Sequence, residues 1–177
     1  MKKVLAFDIG GTNTRLVLFN EKYKIEKELV TPTPYGNEDK FIKNCIEMIE
    51  QFPLENVICI GAGVPGLVDD EKGIILSLVN VNIFNVKFRE KLEEKFHIPV
   101  HLINDASAGC IGEANLGAGK KYSRVVFITI STGIGGSLCI DKKLANYVTE
   151  VGHTLFNYKN GICEYEIASG KNISKLA

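Results

Sequence analysis

Two glycine-rich turns, an Asn-Asp pair and a Glu/His pair are where this 177-residue sequence can do chemistry. Gly10-Gly11-Thr12-Asn13 has the make-up of a phosphate cradle. Glycines let backbone N–H groups approach an anion closely, and Thr and Asn add a hydroxyl and an amide. The same four residues also suit a tight hairpin turn that needs positive φ. Asp8 stands just before the turn, where it can hold Mg2+ through water or cap the turn as an Asx side chain. Asn104-Asp105 follows one apolar run and precedes another. At the carboxyl end of a strand an Asp can take the proton of a substrate hydroxyl while an Asn beside it holds the same molecule. Asn and Asp are also good helix N-caps, and on position alone that is the commoner role. Glu150 and His153 flank Val151-Gly152 and can bind sugar hydroxyls; His153 can instead be a zinc ligand or, the commoner case, an ordinary loop histidine. His97 reads as a helix-end residue near the dipole and His101 as structural.

Two familiar nucleotide motifs are excluded by their surroundings. Gly61-Ala62-Gly63-Val64-Pro65-Gly66 fits G-x-G-x-x-G, but Pro65-Gly66 and the run Val68–Gly73 read as a turn and hairpin, not a helix N-terminus. No acid follows about twenty residues on to meet a ribose, as that fingerprint requires. Gly112 to Lys120 approaches a Walker loop, but no lysine follows the second glycine in register.

The elements that must position these residues follow from periodicity. Val4–Phe7 and Arg15–Phe19 read as strands around the first glycine turn, with Lys24–Val30 as a third and Thr31-Pro32-Thr33-Pro34 as a loop. Ile42, Cys45, Ile46 and Ile49 recur at helical spacing, so Glu38–Phe52 is expected to be an amphipathic helix closed by Pro53. Val57–Ala62 is expected as a buried strand, Lys87–Phe96 as a helix, Val100–Ile103 as a strand and Ala106–Leu116 as a helix. Gly117–Lys121 is a joint, and Arg124–Ile130 and Gly136–Ile140 bracket Ser131-Thr132-Gly133-Ile134-Gly135. This second strand–turn–strand unit resembles the first, which suggests two domains with a common start, 1–116 and 117–177. A loop over Lys142–Asn160 and a helix over Glu164–Leu176 follow, too little for a stable second domain, so the chain is expected to stop in mid-domain.

Composition narrows the class. The 21 basic and 21 acidic residues balance, so no field favours nucleic acid or an anionic membrane. The five cysteines are scattered without a Cys-x-x-Cys pair, which reads as buried thiols in a reducing compartment. No signal peptide or membrane-length apolar run is present, so a cytoplasmic protein without a membrane partner is expected.

Taken in order, Asp8–Asn13, Gly63-Val64-Pro65-Gly66, Asn104-Asp105-Ala106, Ser131–Gly136 and Glu150-Val151-Gly152-His153 resemble the ROK family of repressors, open-reading-frame proteins and sugar kinases. The resemblance implies an α/β chain of the actin-like ATPase (RNase H-like) fold, with only the start of its second lobe present. It implies phosphoryl transfer from ATP, with Mg2+, to a hydroxyl of a hexose or N-acetylhexosamine. Gly10, Gly11, Thr12 and Asn13 are similar to the first phosphate loop, with Asp8 beside it, and Thr132-Gly133 to the second. Asp105 matches the base, and Asn104, Glu150 and His153 match sugar ligands. Gly66 lies in a sugar-side loop. Either Asn80 or Asn82 matches an Asn of the sugar loop. A further sugar-binding Glu is implied at the start of the following helix, at a position that Glu164 and Glu166 straddle. The family's habit of assembly implies a homo-oligomer.

Three departures qualify the resemblance. The stretch after His153 holds one cysteine, Cys163, where many members hold three, so no zinc is expected, as a structural zinc site takes about four ligands. No helix-turn-helix extension precedes Val4, which disfavours the repressor branch and a nucleic-acid partner. The family chain continues well beyond Ser169-Gly170, which leaves a non-catalytic sugar-binding or partner protein as the alternative reading. Metal analysis of the purified protein should find no stoichiometric zinc; one equivalent per chain would contradict the ligand count.

Overall fold

The computed structural model describes residues 1–131 and 133–145 in full and the backbone of 155–157 and 162–163. Two compact units divide the chain, Met1–Asp105 and Ala106–Ala177. The first is built on a five-stranded mixed sheet. Strands β1 (Lys3–Ile9), β2 (Asn13–Asn20) and β3 (Ile25–Pro32) form an antiparallel meander. Strands β4 (Val57–Val64) and β8 (Val100–Asn104) add on in parallel, giving the order β3-β2-β1-β4-β8. Between β4 and β8 lies a small antiparallel sheet of β5 (Leu67–Asp69), β6 (Ile74–Leu78) and β7 (Ile83–Val86), with one 3-10 turn at Val79–Val81.

Alternation decides which face of the large sheet is buried. Leu5, Phe7 and Ile9 of β1, and Leu16 and Leu18 of β2, point into one core. Helix α1 (Glu38–Ile49) buries Phe41, Ile42, Cys45, Met48 and Ile49 there, and α2 (Phe88–Phe96) adds Phe88 and Leu92. Asn37 caps α1, its side-chain oxygen accepting from the Lys40 N–H at 2.8 Å, with Glu38 and Asp39 in the first turn where the dipole favours acids. The helix ends at Ile49, three residues short of the periodicity reading. Pro53 bars its preceding residue from helical angles, and the N–H groups of Gln51 and Phe52 close tighter turns onto Met48 and Ile49. Pro32, expected in a loop, lies in β3. That strand is the sheet edge, where a missing N–H is tolerated. Asn85 within β7 and Asn82 just before it adopt left-handed angles, which interrupt the regular strand alternation there.

In the second unit, β9 (Arg124–Ile130) and β10 (Ile134–Ile140) form an antiparallel pair, and β11 (Lys143–Leu144) adds to β10. The order β11-β10-β9 parallels the β3-β2-β1 meander, with β11 adding a third strand to the expected strand–turn–strand pair. The expected loop over Lys142–Asn160 is corrected by β11 and by a short pair, β12 (Leu155–Asn157) and β13 (Ile162–Cys163). Helix α3 (Asp105–Asn115) packs Cys110 and Ala114 against Cys139, Val125 and Phe127. The expected helix over Glu164–Leu176 lies outside the described residues. Cys45, Cys59, Cys110 and Cys139 are free thiols, and all but the half-buried Cys59 are buried. Burial pushes the Cys139 thiol up to about 11, with help from neighbouring Cys110, and raises that of Cys45 further. Among the described residues no helix is long and apolar enough to cross a membrane.

Phe88 locks the core of the first unit, its ring edge-on to Phe7 at 6.1 Å and tilted against Phe41 at 6.2 Å. Phe88→Ala should lower unfolding free energy by about 3–5 kcal/mol, read as a fall in the urea midpoint.

Candidate functional site

The parallel strands bring the candidate residues of the first unit to one edge. In the ladder Asp8 of β1 pairs with Gly63 of β4, and Gly63 with Ile103 of β8. Strands lie about 4.8 Å apart, so this row sets β1 and β8 roughly 10 Å apart. The Gly10–Asn13 turn follows the row at one end and Asn104-Asp105 at the other. Both therefore stand at the carboxyl edge of the sheet, where ligands of α/β folds bind.

Gly10 donates its N–H to the Asn13 carbonyl at 2.8 Å, which closes the turn. A Cβ on Gly10 would stand 2.8 Å from that same carbonyl oxygen, so no other residue fits without a shift. A Cβ on Gly11 would lie 3.1 Å from the Asn80 Cβ, which places Asn80 against the turn. Gly11, Thr12 and Asn13 are exposed, a geometry that leaves room for a phosphate. Thr33 lies behind the turn and is buried. Its hydroxyl donates to the Gly10 carbonyl at 2.8 Å and its N–H donates to the Thr12 carbonyl at 2.9 Å. Thr14, fully buried, sits 2.9 Å from the Thr33 hydroxyl. Sequence reasoning missed Thr33, because Thr31-Pro32-Thr33-Pro34 signals only a break in periodicity.

Asp8 is exposed at the end of β1, opposite Arg15 of β2. The Arg15 guanidinium turns to Glu28 at 2.8 Å, and that hydrogen bond, more than the charge of Asp8, raises its pKa. The Asp8 carboxylate thus stands beside the turn without being the main partner of Arg15, and as an exposed oxygen donor it suits a hard cation.

Asn104 ends β8 and donates its side-chain N–H to the Gly66 carbonyl at 3.1 Å. Two of the sequence-selected sugar candidates are thereby joined. Gly66 has φ +113°, and a Cβ there would fall 2.2 Å from the Ser77 carbonyl oxygen. The β4–β5 connection can pass so close to β6 only with glycine. Strand β5 follows that turn directly, in keeping with rejection of the dinucleotide fingerprint. Asp105 is the first residue of α3 and is exposed. The helix N-terminus favours its negative charge.

Gly133 lies between β9 and β10, and its carbonyl accepts from the Ser131 N–H at 2.8 Å. Thr132, Glu150, His153, Glu164 and Glu166 lie outside the described residues, so the structure places none of them. Among the described residues no three of His, Cys, Asp and Glu gather as for a metal. The zinc expectation rests on His153 and the Cys163 side chain, which also lie outside them.

Known proteins match this arrangement. The model of the ROK family matches residues 4–176. A xylose repressor of Caldicellulosiruptor bescii is 30% identical over 90% of this chain and 43% of its own length. A glucokinase of Thermotoga maritima is 30% identical over 91% of this chain and 53% of its own length. The chain thus spans about half the length of these curated relatives. The crystal structure of a ROK family glucokinase from Streptomyces griseus, in complex with glucose and AMPPNP, superimposes with a TM-score of 0.81 at 26% identity, covering 98% of this chain and 59% of that one. The fold is therefore the actin-like α/β fold of ROK kinases, and matches fall among both kinases and repressors.

Gly66→Ala should destabilise the protein by at least about 1–3 kcal/mol, from strain at a positive φ and contact with Ser77. A midpoint in urea unchanged from wild type would contradict the geometry at this turn.

Proposed function

The chain belongs to the ROK family, and from that premise we propose that it serves ATP-dependent phosphorylation of a hexose or N-acetylhexosamine hydroxyl, with Asp105 as base. The observation that carries this reading is the single sheet edge shared by an exposed carboxylate at Asp105, a sugar-type amide at Asn104 and the exposed glycine turn Gly10–Asn13. Phosphoryl transfer asks a protein mainly for positioning and charge neutralisation. Asn104 and Gly66 orient the sugar, together with Glu150, His153 and Glu164. Asp105 orients the reacting hydroxyl and receives its proton as the sugar oxygen bonds to the γ-phosphorus and the bond from that phosphorus to the ADP oxygen breaks. Gly10–Asn13, and Thr132-Gly133 from the second turn, offer donors to the phosphates. Mg2+, when bound with the nucleotide, neutralises phosphate charge, and Asp8 is the carboxylate suited to holding it through water. Zinc has no part in this reading. Free thiols suit a cytoplasmic setting, and a homo-oligomer is the assembly proposed.

A second reading, a non-catalytic sugar-responsive protein, is favoured by the likeness to the xylose repressor. It predicts sugar binding without turnover. A coupled assay of the full-length protein with ATP and glucose, mannose, fructose, N-acetylmannosamine or N-acetylglucosamine separates the two. Turnover on any sugar supports the kinase. Asp105→Asn should then lower kcat by about 10²–10⁴ while leaving the sugar Kd unchanged. Near wild-type turnover in that variant would end the assignment of Asp105.

A further inference from the structure

We propose that Thr33 is the positioning residue that holds the Gly10–Asn13 turn in its anion-receiving form; this rests on the phosphate reading of that turn. Its two bonds engage alternate carbonyls of the turn, those of Gly10 and Thr12. Every peptide bond among the described residues is trans, so C=O and N–H of one peptide unit point in opposite directions. With the Gly10 carbonyl drawn back to the Thr33 hydroxyl, the Gly11 N–H points forward. With the Thr12 carbonyl drawn back to the Thr33 N–H, the Asn13 N–H points forward too. Two donors are thereby aimed away from the buried Thr33, towards the exposed side of the turn, where one anion can accept from both.

The clasp is itself supported. A hydroxyl has one proton, and Thr33 gives its own to Gly10, so the proton between the two hydroxyls comes from Thr14. The chain Thr14 to Thr33 to Gly10 is buried at both threonines, where each bond polarises the next. The same connection reaches a second loop, since the Gly36 N–H donates to the Val81 carbonyl at 2.8 Å, next to the Asn80 that abuts Gly11. The β3–α1 connection thus braces the turn from behind and steadies the neighbour in front of it.

The test compares Thr33→Val and Thr33→Ser in the full-length protein, with KM for ATP and for sugar measured separately. Thr33→Val keeps the shape and loses the hydroxyl; KM for ATP should rise roughly tenfold, while KM for the sugar stays within error. Thr33→Ser should restore the wild-type value. If Thr33→Val does not fold, Thr14→Val carries the test, since it removes the hydroxyl behind the clasp and should raise the ATP KM alone. An unchanged ATP KM in the folded variant, or equal rises for ATP and sugar, would overturn the inference while leaving the kinase reading intact. No ATP-dependent turnover in the wild-type protein would overturn both.

Discussion

The parallel ladder of β1, β4 and β8 is the constraint on which the candidate site depends. Its hydrogen bonds rank Asp8, Gly63 and Ile103 in one row. A slip of one residue would turn every buried side chain of a strand to the opposite face. Burial of Leu5, Phe7 and Ile9 on one strand, and of Ile60, Ala62 and Val64 on the next, forbids that slip. The register that protects the core is therefore the same register that delivers a glycine turn and an Asn-Asp pair to one edge. Stability and placement of the site have one physical cause.

Around that edge the polar groups of the backbone are managed by few side chains. Thr33 takes two carbonyls of the first turn, and Asn104 takes the carbonyl of Gly66. A buried or crowded carbonyl without a partner is costly, so each such bond fixes a peptide plane and with it the N–H on the other side. Backbone conformation is set from behind, and donors in front result from it. Glycine at positions 10 and 66 is the steric condition for this closeness, because a Cβ at either would strike a carbonyl oxygen.

The second unit carries the same three-strand order as the first, but its support differs. There α3 presents small residues to the sheet, with Gly109 lying where a Cβ would stand 2.8 Å from the Phe127 ring. On the other face of β9, Val126, Ile128 and Ile130 are exposed. Likeness at the level of strand order thus coexists with different packing. Both facts accord with relatives that include a kinase and a repressor, since a fold is shared more widely than a function.

Local pattern was enough to define the three helices of the described residues to within a few positions, because apolar spacing and caps are properties of neighbouring residues. The order of five short motifs was enough to point to the ROK family, whose model spans residues 4–176. What the sequence left open were relations between segments far apart. That Asn80, not Asn82, abuts Gly11 follows from the 3-10 turn that carries it. That Thr33 matters at all follows from β3 lying beside β2, which brings residue 33 to residues 10 and 12. Asp105 shows the division most clearly. As a residue type at the end of an apolar run it is more often a helix cap than a base. The ladder that sets its strand two places from β1 and the Gly10–Asn13 turn is a long-range property, made by core packing that no local pattern contains.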